Sequence, residues 1–247
     1  MGRDGGARRR GRPDGRGRRR RHLVRAARAL PGARRGRSLS ALDGLAEALA
    51  ARAGARPGRL VVMLAGPPGA GKSTVVEGLQ QELRGRGLST QILPMDGFHY
   101  DNAILEARGV RARKGAPETF DVTSLALILA ALALPGAPDL AVPIFDRAAD
   151  LSRGSARIIP AATRVLLVEG NYLLLNHAPW SDLRDLADVT VMLDCPLEVL
   201  EARLMRRWLD LGLPEAEARA KVAGNDLPNA RLVLSDSVAP DLRIATG

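Results

Sequence analysis

Cysteine, aromatic side chains and long apolar runs are all scarce in this sequence. Cys195 is the single cysteine in 247 residues, so no internal disulfide can form. No uninterrupted apolar run approaches the ~18–20 residues needed to cross a bilayer, which argues against a membrane span. No apolar signal core follows the basic run after Met1, so the expected compartment is the cytoplasm. Phe, Trp and Tyr together make up only 3% of the chain, so a local concentration of rings stands out. An Asn-Lys-x-Asp guanine motif is also missing, which lowers a GTPase reading. What is present is 46% hydrophobic residues, enough to build a globular core.

The net charge of +10 suggests a nucleic-acid binder until it is located along the chain. Residues 1–37 hold 15 of the 37 basic side chains against two acidic ones, Asp4 and Asp14, a balance of +13. The remaining 22 basic and 25 acidic side chains sum to −3. Residues 1–37 are Arg, Gly, Ala and Pro with few large apolar groups, and read as a disordered arm. Such an arm either holds nucleic acid or an acidic surface by counterion release, or is a solvated tail or an extension from a misplaced start codon. The arginine bias of the whole chain, with three lysines, fits a GC-rich coding sequence and favours the latter. Nucleic acid is therefore not expected as a partner beyond weak contact through the arm, and a homodimer is left open.

From Ser38 to Gly247 the pattern is that of one α/β domain. Ser38 is placed to cap a helix running to about Ala53, with Leu39, Leu42, Leu45, Ala46 and Leu49 at helical spacing. Strands are expected at Leu60–Leu64, Thr90–Met95, Leu140–Phe145, Val165–Glu169 and Val189–Leu193. Helices are expected at Lys72–Arg84, Val122–Leu132, Leu197–Leu211 and Glu215–Val222. Strands alternating with helices imply a mostly parallel sheet covered on both faces, a three-layer arrangement.

Between the first strand and its helix lies Gly66-Pro67-Pro68-Gly69-Ala70-Gly71-Lys72-Ser73, which matches G-x-x-x-x-G-K-[ST] in the context that pattern requires. Glycines let the backbone curl so that successive amides face a phosphate, and the helix N-terminus adds partial positive charge. Lys72 is expected to reach the β- and γ-phosphates of ATP. The Ser73 hydroxyl is expected on Mg²⁺, with Thr74 beside it for a further phosphate oxygen.

Ligands of open α/β sheets bind beyond the carboxyl ends of the strands, where two acidic residues fall. Asp96 closes Thr90–Met95 and suits a group that orients a hydroxyl and accepts its proton. Glu169 closes Val165–Val168 and suits a metal role, directly or through water. Phe98, His99 and Tyr100 set three rings beside Asp96, and His99 and Tyr100 are candidates to bind an acceptor. Lys114, Asp121 and Arg147 are candidates to pair with its polar groups. Arg203, Arg206 and Arg207 share one helical face, where an anion could engage them or Asp210 could pair with them. Asn225 and Asn229 either meet a base or shape a turn.

These motifs, in order, resemble the P-loop kinase group that contains uridine kinases, phosphoribulokinases and bacterial-type pantothenate kinases. Asp96-Gly97-Phe98-His99-Tyr100 is similar to the group's Asp-bearing strand end, and Arg113 to Asp121 is similar to its acceptor-side segment. Val142 to Arg147 is similar to the strand that follows, and Glu169-Gly170-Asn171-Tyr172 to the segment near the metal. Within the group the chain resembles a bacterial subgroup described as nucleoside or nucleotide kinase-like, sometimes associated with sugar uptake. The resemblance spans about Leu60 to the C-terminus. It implies a P-loop fold with a helical lid and transfer of the ATP γ-phosphate to a hydroxyl of a small metabolite, a nucleoside, pantothenate-like or sugar acceptor. Asp96 would be the catalytic carboxylate, Arg203 and Arg207 would belong to the lid, and Asn171 would lie on the acceptor side. His99-Tyr100 and Lys114-Gly115 are more pantothenate-kinase-like than uridine-kinase-like, although the chain is shorter than typical pantothenate kinases. The alternative from another class is an ATPase or nucleotide-dependent switch with no metabolite acceptor.

Overall fold

The computed structural model describes residues 41–246. The arm at residues 1–37 and the Ser38 cap lie outside the described residues. In chain order the elements begin with α1 (Ala41–Gly54), β1 (Leu60–Ala65), α2 (Lys72–Gly85), β2 (Thr90–Pro94), α3 (Asn102–Ala107) and α4 (Val122–Ala133). They continue with β3 (Leu140–Asp146), β4 (Leu151–Ile159), β5 (Val165–Gly170), β6 (Val189–Asp194), α5 (Leu197–Asp210), α6 (Glu215–Lys221), α7 (Leu227–Asp236) and β7 (Leu242–Ala245).

Five strands form one parallel sheet in the order β2-β5-β1-β6-β7. All six residues of β1 are buried, because alternate side chains enter two different cores. Val61, Met63 and Ala65 meet α4, Trp180 and Tyr172 on one face. Leu60, Val62 and Leu64 meet the apolar sides of α1, α2 and α5 on the other. That two-sided burial explains why the strand reads as a continuous apolar run, and it makes three layers.

Two expectations are corrected. Leu140–Phe145 does not join the parallel sheet: as β3 it pairs antiparallel with β4, a strand the apolar pattern does not reveal, to make a separate hairpin. The β4 sequence Leu-Ser-Arg-Gly-Ser-Ala-Arg-Ile-Ile is largely polar and part-exposed, since no second layer covers it along its length. The Asn225–Asn229 stretch is no turn either. A π-helical segment, Val222–Asp226, joins α6 to α7, and Pro228 fits the first turn of α7, where its missing N–H costs nothing.

Leu64 lies on the central strand with no exposed surface. Leu64→Ala is expected to lower unfolding free energy by about 2–5 kcal/mol, read from urea denaturation, because its neighbours belong to a close-packed core that cannot collapse into the gap.

Candidate active site

The carboxyl ends of β1, β2 and β5 open onto a cleft of about 1000 Å³, at the upper end of the range for small-molecule sites. β1 runs directly into its floor. Gly69 and Gly71 take φ of +85° and +80°, which only glycine adopts without strain, and they curl the loop so that α2 starts at Lys72. Gly71 brings no side chain to cap α2, so the first-turn amide hydrogens are left for a ligand. Ser73 and Thr74 are exposed on that first turn and line the cleft, as do Pro68, Gly69, Gly71 and Lys72. Gly66, Pro67 and Ala70 form the back of the loop: Ala70 N–H donates to Pro67 O at 3.1 Å, and Ala70 is fully buried. A side chain on Gly66 would meet Leu193 of β6 at 3.0 Å.

Lys72 Nζ donates to Pro67 O at 3.0 Å, folded back over its own loop. Desolvation there lowers its pKa to about 8, while the carboxylates of Glu169 and Asp96 pull in the opposite direction. Glu169 sits at the end of β5, in register with Leu64 of β1 and Pro94 of β2. Burial, then the neighbouring Asp96, raises its pKa.

Asp96 lies just beyond β2, which ends at Pro94, one residue earlier than expected. Asp96 belongs to a 3₁₀ turn, Met95–Phe98, that the β3–β4 hairpin clamps from outside. Backbone of the hairpin approaches so closely that a Cβ on Gly97 would lie 2.5 Å from Pro143 O, and Ser152 Oγ donates to Gly97 O. Arg147, in the hairpin turn, donates to Asp96 Oδ2 at 3.1 Å.

His99 lines the cleft with its ring 4.0 Å from that of Phe120 and 4.6 Å from that of Phe145. Its Nδ1 is 2.8 Å from Asp96 O and so carries the proton, since a carbonyl can only accept. Burial lowers its pKa and favours the neutral ring. Lys114 is only 8% exposed at its side chain, pairing with the Asp150 carboxylate at 3.0 Å and donating to Asn102 Oδ1 and Asp150 O, both at 2.6 Å. It lines the cleft but is consumed in bolting the acceptor-side segment to the hairpin turn. Arg111 reaches the same Asp150 at 2.8 Å. Asn171 lines the cleft beside Tyr172, whose hydroxyl donates to Gly115 O at 2.6 Å.

Two expected acceptor-side residues do not line the cleft. Asp121 caps α4, accepting from Ser124 N at 3.0 Å and Ser124 Oγ at 2.6 Å, because an aspartate before a helix satisfies its orphan donors. Tyr100 turns its ring to Arg108, whose guanidinium carbon lies 4.3 Å from the ring centre.

Helix α5 lays Arg203, Arg206 and Arg207 along the far wall. Arg203 reaches toward Gly69 O at 3.5 Å. Arg206 pairs with Asp210 at 3.6 Å in full solvent, a contact worth little. Trp208, Lys221, Asn225, Asp226 and Asn229 complete that wall. Trp208 was missed, although one of only two tryptophans, set directly after two arginines in a ring-poor chain, was a usable signal. The lining carries eight basic side chains against five acidic ones, on a chain whose residues 38–247 sum to −3. Positive charge is thus gathered where a polyanion would sit.

Comparison with known proteins agrees with this geometry. Residues 32–132 match the family of methylmalonyl-CoA mutase-associated GTPases, MeaB, a segment that holds β1, the phosphate loop, α2 and β2 but stops before β5. The protein YggC of Escherichia coli is 39% identical over 185 residues, covering 72% of this chain and 74% of that one. A Schizosaccharomyces pombe protein, C227.14, provisionally named a uridine kinase, is 35% identical over 192 residues, 74% of this chain and 82% of its own. The chain belongs to the P-loop kinases. A solved structure from Silicibacter sp. TM1040, provisionally called a fructose transport system kinase, superposes with a TM-score of 0.79 at 41% identity, over 83% of this P-loop kinase and 100% of that chain. YFH7 of Saccharomyces cerevisiae shares the fold, with a TM-score of 0.75 at 20% identity over 84% of this chain and 100% of its own.

A phosphate beside Lys72 favours its charged form, so nucleotide affinity is linked to pH. With Lys72 at a pKa of about 8 in the free cleft, binding below that value finds the ammonium already present. Above it, binding must take up a proton, and affinity for a nucleoside triphosphate should fall by up to about tenfold per pH unit. Calorimetric titrations between about pH 7.5 and 9.5 would show the decline, and Lys72→Arg, charged throughout, should flatten it. A flat profile for the unaltered chain would contradict the lysine's assigned place.

Proposed function

We propose that this P-loop kinase transfers the γ-phosphate of ATP to an alcohol group of a small metabolite, with a nucleoside, a pantothenate-like compound or a sugar as the acceptor classes. The observation that carries the reading is convergence: Lys72, Asp96 and Glu169 come from three separate segments, yet the two carboxylates are the main charges opposing Lys72 desolvation across one cleft. A phosphate-grip lysine and a carboxylate beside open space are what in-line transfer to a hydroxyl requires.

The acceptor oxygen forms a bond to the γ-phosphorus while the bond from that phosphorus to the β–γ bridging oxygen breaks, and ADP leaves with the electron pair. The hydroxyl proton passes to Asp96. Before that, Arg147 donates to Asp96, and at 64% exposure it can yield to an incoming molecule at small cost. Lys72 stays on the β- and γ-oxygens, and Arg203 and Arg207 offset charge that spreads over the transferring group. The neutral His99 offers Nε2 as an acceptor for a second hydroxyl.

Magnesium fits the donors at hand. Ser73 and Glu169 present oxygens only, and among the described residues no group of three or more His, Cys, Asp or Glu closes into a cage. That suits an ion held mainly by substrate phosphates and water. Held by Ser73 and Glu169, directly or through water, such an ion would offset the negative charge of the phosphates. Among the described residues no helix is long and apolar enough to cross a membrane, and we assign the reaction to the cytoplasm.

The MeaB match favours a second reading, a nucleotide-driven switch with no metabolite acceptor. ATP turnover with and without a panel of nucleosides, pantothenate and sugars, followed by mass spectrometry, separates them. The kinase reading expects a product heavier by one phosphoryl group, and acceptor-independent hydrolysis with no such product would favour the switch. Asp96→Asn should lower turnover by about 10²–10⁴-fold and far more than it lowers ATP affinity, because the acceptor's proton loses its carboxylate.

A further inference from the structure

The wall of the cleft opposite the carboxylates contains a geometry that α-helical propensity does not explain. Between α6 and α7 the chain winds as a π-helix over Val222-Ala223-Gly224-Asn225-Asp226. One extra residue in a turn rotates everything after it by about 100° around the axis. The insertion carries a glycine in its middle, which costs about 1 kcal/mol of helix propensity relative to alanine. A rare turn at an unfavourable residue persists only where surrounding contacts over-determine it.

Those contacts run in two directions. Gly224 O accepts from Arg113 Nη1 at 3.1 Å, and Asn225 Nδ2 donates to Lys114 O at 3.3 Å, so two successive residues hold the acceptor-side segment. Asn225 is itself oriented by Asn229, whose Nδ2 donates to Asn225 Oδ1 at 3.3 Å. The next residue faces the other way: Asp226 Oδ2 accepts from Trp208 Nε1 of α5 at 2.6 Å. Lys221 lies 4.8 Å from the centre of that indole and Arg207 lies 5.4 Å from it. Trp208 follows Arg207 directly and lies five residues past Arg203, so the bond that fixes the indole also fixes the roll of α5 and the direction of both guanidinium groups. Continuous α-helix through 222–226 would turn Asn225 and Asp226 away from one of these two partners.

We propose that the π-turn Val222–Asp226 is the joint through which the acceptor-side segment sets the position of Arg203 and Arg207, with Asn225 and Asp226 as its positioning residues. This rests on the phosphotransfer reading, since the direction of those arginines matters only where a phosphoryl group is transferred. Neither residue contributes an atom to the reaction. Asn225 senses where Arg113-Lys114 lies, and Asp226 passes that placement to the indole.

The test uses the full chain and three variants, Asp226→Ala, Asp226→Asn and Asn225→Ala, with two readouts. The first is Trp208 emission on adding a non-hydrolysable ATP analogue with Mg²⁺, taken as the difference from Trp208→Phe so that Trp180 cancels. The second is turnover, with the acceptor that the panel identifies, or ATP hydrolysis if none is phosphorylated. The emission change is expected in the unaltered chain and in Asp226→Asn, whose amide oxygen still accepts from the indole, and is expected to be lost in Asp226→Ala and Asn225→Ala. Turnover should fall by about tenfold to a hundredfold in both alanine variants with KM for ATP unchanged, and recover at least in part in Asp226→Asn. Asn225→Ala has no bond to the indole, so its effect on Trp208 is one that simple loss of the Asp226 contact cannot produce. Wild-type emission and turnover in Asn225→Ala would overturn the joint, as would no emission change in the unaltered chain, or ATP affinity and turnover falling together. Absence of a phosphorylated acceptor would instead count against the kinase reading, and the emission series would still decide the joint.

Discussion

A fully buried strand that ends in an uncapped helix is the constraint from which the rest of this molecule follows. β1 has a core on each face, so its position is fixed from both sides and no slip of register is tolerated. Its continuation through Gly69 and Gly71 has two left-handed residues and no capping side chain, which leaves the first-turn amides of α2 facing the cleft. Elsewhere in a fold such orphan donors would be a liability to be satisfied locally. Here they turn toward solvent and a basic wall, so the stability of the core maintains a site that does not stabilise itself.

Placing Glu169 and Asp96 near that loop has a cost that the charge arrangement limits. Burial raises the pKa of Glu169, and the neighbouring Asp96 adds to the effect. Lys72 and Arg147 oppose it, one from the loop and one from the hairpin. Desolvation by its own loop lowers the Lys72 pKa, and the two carboxylates oppose that fall. Neither Glu169 nor Lys72 is at its ordinary value. Perturbed groups collected in one cleft are a better guide to chemistry than any of them alone.

The phosphate-binding half of the site can be read from the chain because its signals are local. An apolar run, a glycine-rich stretch and a helical pattern lie within about thirty consecutive residues, and α2, α4, α5 and the strands β1, β2, β5 and β6 fall within a residue or so of where periodicity puts them, whereas β7 was not expected. The acceptor half depends on contacts between distant segments. Nothing in Leu151–Ile159 signals a strand, because only its pairing with β3 makes it one. Asp121 has the charge of a ligand-binding residue and the position of a helix cap, and position decides. Lys114 and Asp150 are 36 residues apart, and their pairing depends on the hairpin turn that brings Asp150 around at φ +50°. The π-turn has no propensity signature, since glycine, asparagine and aspartate before a proline ordinarily signal a loop.

The split between the two halves explains why the motifs name a nucleotide and leave its partner open. Main-sheet strands carry the phosphate loop and Glu169, while the hairpin lies outside that sheet and meets Asp96 through a handful of contacts, notably the close approach of Pro143 to Gly97 and the bond from Ser152. Those contacts hold Asp96 in place beside the loop independently of the side chains on the free side of the hairpin. Phe145, Arg147 and Asp150 sit on the free side of the hairpin and its turn, where substitution disturbs neither core cluster. A scaffold of this kind lets acceptor preference drift while the phosphate chemistry stays fixed. On the proposed reading, acceptor choice would rest with the side chains of β3 and its turn and with the segment bolted to them, since a glycine-lysine loop carries no information about it.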